Sequence, residues 1–188
     1  MKKFSKIFLL LINPTKEWEK INNDDTDYHS LVKEILLCVS IIYLCISILN
    51  IFLNRRNNGV SIVQMIVIAI LFSVGIIIWP HISAKIINGL APIFKGEKNK
   101  KNSFKLAVYC SYSALIGSLL GFIPVKGISY LALCYLIFIR YHGLKVLMKS
   151  QRATFIYALF PELIFVIIDF LVSIILTLIQ IIFVAVYK

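Results

Sequence analysis

Charge is scarce in this chain. Asp, Glu, Lys and Arg make up 15% of its 188 residues, whereas a soluble domain carries about a quarter. Acidic side chains are scarcest: 9 stand against 20 Lys and Arg, leaving a net charge of +11. That composition excludes an ordinary water-facing surface. Metal and redox frameworks are missing as well. Cys38, Cys45, Cys110 and Cys134 all lie inside apolar runs, with no C-x-x-C pair and no histidine at zinc spacing. His29, His81 and His142 are scattered, and no H-E-x-x-H occurs. There is no G-x-S-x-G, no phosphate-binding glycine loop and no close pair of carboxylates within an apolar stretch. The acidic cluster Asp24, Asp25 and Asp27 reads as a solvated loop. The expectation is a non-enzymatic protein with no metal and no cofactor.

What is abundant is apolar sequence, 60% of the chain. A helix crosses the hydrocarbon core with about 20 apolar residues. Stretches 35–53, 62–80, 104–123, 128–147 and 163–187 have that length and character. The expected fold is an all-α integral membrane protein. Its five-transmembrane-helix bundle occupies residues 31–188, behind an N-terminal cytoplasmic and interfacial segment, 1–30. The opening "MKKFSKIFLLLIN" starts like a signal peptide, but its apolar run is short, no A-x-A site follows, and Asn13-Pro14 breaks it. It is expected to persist as a short interfacial helix, lysines toward headgroups and apolar side chains inward.

Lys and Arg set the orientation. With the N-terminus inside, only Arg55, Arg56, Lys126 and Lys188 of the 20 fall outside. The protein is therefore expected in the cytoplasmic (inner) membrane, multi-pass, N-terminus in and C-terminus out. Residues 82–103 are expected to form a surface helix followed by a basic loop, with Lys95, Lys98, Lys100 and Lys101 against the cytoplasmic leaflet. Each Lys near an anionic surface contributes about 1 kcal/mol. Anionic lipid is thus an expected partner, along with a second copy or another membrane protein. Nucleic acid is not, because no aromatic platform or recognised motif accompanies the basic patch.

Two charges fall well away from the ends of expected spans, Arg140 in the fourth and Asp169 in the fifth. A lone charge at mid-helix costs about 2.5–3.5 kcal/mol on insertion scales. Consecutive antiparallel helices usually touch, so Arg140 and Asp169 are expected to form an intramembrane ion pair, either as a pin between helices or as part of a proton or substrate path. His81, His142 and Glu162 are candidate polar pore or cavity residues. Pro80 is expected to end the second span and Pro161 to open the fifth. Ser113, Gly117 and Gly121 form a small-residue stripe that permits close helix contact.

Three stretches make the chain resemble the bacterial branch of the Yip1 family of multi-spanning membrane proteins. "INPTKEWEKI" (12–21) is similar to the family's N-terminal pattern of Pro, a short gap, Trp and then Ile. "SFKLAVYCSYSALIGSLLGFIP" (103–124) is similar to its third span, and "YLIFIRYHGLKVLMKSQRATFIYALFP" (135–161) to its fourth span, with a Tyr, a Gly-Leu near the inner end and a polar turn. One departure stands out: the family often places a proline soon after the Tyr-Ser of the third span, where this chain has Ala114-Leu115. The resemblance implies a five-span plan and no active site to transfer. Eukaryotic relatives are linked to Rab GTPases and vesicle traffic, a role that does not carry over to a bacterium. Together these readings point to a membrane scaffold or organiser, with a small-solute, ion or proton transporter or channel as the alternative.

Overall fold

The computed structural model describes residues 9–10, 12–24, 27–53, 62–112, 116, 119–120 and 129–186. All regular structure among them is helical. Helix α1 spans Pro14–Asn23. Proline at its first position fits, because the first amides of a helix have no intrahelical partner. Helices α2 (Tyr28–Leu31) and α3 (Leu37–Leu53) are joined without a break by a π-helical turn, Val32–Leu36. Helix α4 covers Ile62–Leu90, α5 Lys100–Cys110, α6 Ser129–Leu147 and α7 Phe155–Val186. The expectations for residues 1–8 lie outside the described residues, and so do Ser113, Gly117 and Gly121.

Among the described residues, three helical stretches are long and apolar enough to cross a membrane: Tyr28–Leu49, Met65–Leu90 and Phe155–Val172. Their outward side chains support the same reading. Leu71 on α4 is 52% exposed and Phe170 on α7 is 64% exposed, amid Ile41, Ile70, Val74, Val166 and Leu171. Contiguous apolar surface of this kind is a liability in water but costs nothing in hydrocarbon.

Two prolines sit differently from expectation. Helix α4 runs straight past Pro80 to Leu90, and Pro161 lies inside α7, which begins at Phe155. A proline removes one backbone bond and crowds the carbonyl four residues back. At Pro80 the neighbouring ladder is supplemented by a side chain: His81 donates from Nδ1 to the Ile77 carbonyl at 3.0 Å. The segment after Pro80 is therefore a continuation of the span rather than a separate surface helix.

The packed core gathers at one end. The π-helical turn before α3, the end of α4, all of α5, the end of α6 and the start of α7 meet there, contributing Ile35, Leu36, Ile87, Leu106, Val108, Leu144, Leu147 and Tyr157. Helix α1 packs along α6, and α5 packs against both α4 and α6. The opposite stretches of α3, α4 and α7 leave most apolar side chains outward.

The loops at the packed end are tied together. The Glu97 amide donates to the Met148 carbonyl at 2.8 Å, Gln151 N to Lys95 O at 3.3 Å, and Arg152 N to Phe94 O at 3.2 Å. Ser150 Oγ donates to the same Phe94 carbonyl at 2.7 Å. Lys95 and Lys149 take left-handed conformations to shape these turns, with φ of 51° and 47°. Asn99 caps α5, its side-chain oxygen accepting from the amides of Lys101 and Asn102.

Candidate functional site

The polar residues of the packed end lie within the core. Arg140, on α6, is 2% exposed. Its Nη2 stands 2.6 Å from Glu162 Oε1 on α7, and Nη1 donates to the Ala158 carbonyl at 3.1 Å. Glu162 is also buried. Pro161 has no amide for the Tyr157 carbonyl, four residues back, so the ladder is already disturbed one residue before Ala158. The guanidinium thus meets both a carboxylate and a carbonyl beside a proline. Cys110 of α5 is buried beside the same guanidinium, bringing a third helix to the point. Arg140 Nε is buried with no hydrogen-bond partner among the described residues.

The described carboxylate partner of Arg140 is therefore Glu162, not the Asp169 expected from sequence. The side chain of Asp169 lies outside the described residues. Helix starts account for the difference. Because α7 begins at Phe155 rather than near Leu163, Glu162 stands seven residues into α7 and Arg140 seven residues before the end of α6. In an antiparallel pair, residues equidistant from the turn face each other. Asp169 is about 10 Å farther along at ~1.5 Å per residue.

A second set of contacts fixes α1. The Trp18 indole is fully buried, and its Nε1 donates to the Ile139 carbonyl at 3.0 Å. It meets the Tyr109 ring edge-on at 6.0 Å. The place it occupies exists because residue 143 is glycine: a Cβ there would stand 2.8 Å from Trp18 Cε2 and 2.4 Å from Leu106 Cδ1. Lys105, one of the basic residues counted on the inner side from sequence, is 2% exposed. Its ammonium donates to the Ile21 carbonyl at 3.3 Å and to the Asp24 carbonyl. It thereby satisfies carbonyls at the C-terminal end of α1, where a cation also complements the helix dipole. Glu17 is buried beside Trp18 and pairs with Lys20, although its Oε2 has no partner among the described residues.

The two candidate histidines have separate partners. His81 Nε2 lies 2.8 Å from Tyr28 Oη. With Nδ1 donating to Ile77, Nε2 is the acceptor and the tyrosine hydroxyl donates. His142 Nδ1 is 3.4 Å from Thr15 Oγ1, and its ring meets Phe138 edge-on at 4.7 Å. Glu162 pairs with Arg140, so these three polar residues do not converge on one described cavity. Lys95 and Lys98, in the loop, and Lys100 and Lys101, in the first turn of α5, are all exposed. Among the described residues no group of three His, Cys, Asp or Glu side chains is placed to hold a metal ion.

The Trp18–Gly143 contact joins two of the stretches that suggested a family. A family model, the Yip1 domain, matches residues 8–174. The chain belongs to the Yip1 family. Neither a curated protein nor a solved structure matches it. Within this Yip1 protein, the N-terminal Trp motif and the Gly-Leu of α6 are two halves of one packing contact.

Proposed function

We propose that this Yip1-family protein is a non-enzymatic membrane scaffold or organiser, acting through helix contacts and through lipid or protein partners. The observation that carries the reading is the use made of Arg140. Its charge is spent on Glu162 and Ala158 of the adjoining helix, as expected of a pin between helices. A buried pair adds little net stability over apolar packing, but losing one partner strands a charge in the core. In this reading the chain crosses a cytoplasmic (inner) membrane five times, with the N-terminus inside and the C-terminus outside. The loop bearing Lys95, Lys98, Lys100 and Lys101 then lies against anionic headgroups, and a second copy or another membrane protein is the protein partner.

The experiment is a flux assay. The purified chain is reconstituted into liposomes, and proton and small-cation leak is followed with dyes for wild type, Glu162→Gln and Asp169→Asn. Leak equal to that of empty liposomes for all three supports the organiser. Protein-dependent flux that either substitution changes overturns it in favour of a transporter or channel.

A further inference from the structure

An apolar groove of about 500 Å³ runs beside α6, lined by Ile116, Leu120, Leu131, Cys134, Tyr135 and Phe138. Its four α6 residues form a stripe on one helix face, Leu131 and Phe138 each three and four residues from Cys134 and Tyr135. The same stripe continues beyond the groove to Tyr141, His142 and Lys145. There the chemistry changes from apolar to cationic within about 10 Å of Phe138, at ~1.5 Å per residue. Lys145 is exposed, and its Nζ sits 4.2 Å over the Tyr141 ring. Tyr141 is itself stacked on Phe155 at 4.9 Å, so the lysine stands on a fixed aromatic platform. His142 borders it, held by Phe138 on the groove side and Thr15 on the other.

We propose that this groove and the Tyr141–Lys145 end of α6 form a binding site for one anionic glycerophospholipid. An acyl chain lies along Leu131, Cys134 and Phe138, and the phosphate meets Lys145 and His142. The occupant follows from the order of the chemistry. A lipid presents a hydrocarbon chain and then, at the depth where the helix leaves the bilayer, a phosphate. The stripe presents carbon and then a cation in the same sequence, and basic pockets beside membrane helices favour anionic headgroups. A partner helix would not require the cation at the end. The inference deepens the organiser reading and rests on it, by naming the lipid class the scaffold holds.

The test uses the full chain, delipidated in detergent and offered phosphatidylglycerol or phosphatidylcholine, with bound lipid counted by native mass spectrometry. Wild type is expected to retain phosphatidylglycerol at least five-fold over phosphatidylcholine. Lys145→Glu should abolish that preference, and Cys134→Trp, which fills the groove, should lower retention of both lipids. Wild type also carries its own reporter, since Cys134 is exposed in the groove. Its alkylation, located by peptide mass, should slow several-fold on adding phosphatidylglycerol and little with phosphatidylcholine, a readout that needs no folded variant. Equal retention of the two lipids by wild type, or unchanged alkylation, overturns the proposal. So does efficient cross-linking of two chains through Cys134, which would make the occupant a second copy. None of these outcomes alters the flux result, so the two readings fail separately.

Discussion

Trp18 and Gly143 meet face to backbone: the indole occupies the volume that any other residue at position 143 would claim. Residues 125 apart in sequence are thereby held at contact distance, and the indole N–H is spent on Ile139, one turn away on the same helix. Gly143→Ala should destabilise the protein by about 1–3 kcal/mol, the usual cost of overpacking. Leu106 Cδ1 ends a flexible side chain and can turn aside; the rigid indole cannot. Thermal unfolding in detergent checks this, and a midpoint unchanged within error would show that Trp18 moves freely.

The Arg140–Glu162 pair predicts a non-additive pattern. Arg140→Met and Glu162→Met should each cost about 3–5 kcal/mol, because each leaves an uncompensated group in the core. Arg140→Met combined with Glu162→Met should cost less than either single change. The measurement is a double-mutant cycle on unfolding midpoints. Additive losses would mean that the two side chains act independently.

Lys105 predicts a local effect. Lys105→Met removes the donor for the Ile21 and Asp24 carbonyls and should cost about 1.5–3 kcal/mol, the range for hydrogen bonds to charged groups. The loss should show as faster amide exchange in α1, with α4 little changed. Hydrogen exchange by mass spectrometry resolves the two. Uniform acceleration across both helices would instead assign Lys105 to global stability.

Much of this was legible in the sequence, and the exceptions have physical causes. Apolar runs marked the long helices because lipid selects for them directly. Their ends were harder, since Pro80 and Pro161 read as punctuation. In a helix stabilised by packing and hydrocarbon, one lost backbone bond is tolerated, so both helices extend past their prolines. That shift of the α7 start is what exchanged Asp169 for Glu162 as the described partner of Arg140. Counting outward from the Leu147–Phe155 turn, rather than from the proline, would have found Glu162. The burial of Lys105 was not read from the sequence, which assigned it only to the inner side. Nothing in its neighbours signals that the end of α1 passes over it. Trp18 and Gly143 were each visible as motif residues, but their contact depends on how α1 lies across α6.

The strap between the two loops has a consequence for chain continuity. Residues 94–97 and 148–152 are clasped by main-chain bonds and Ser150 Oγ, across fifty residues of intervening chain. A cut in the exposed stretch at Lys98 would thus separate two pieces that remain clasped through backbone already paired on either side. Co-expressed fragments 1–97 and 98–188 should copurify when only one carries an affinity tag, and Gln151→Pro, which removes the amide donated to the Lys95 carbonyl, should weaken their association. The protein would then behave at this point as two chains that happen to be synthesised as one.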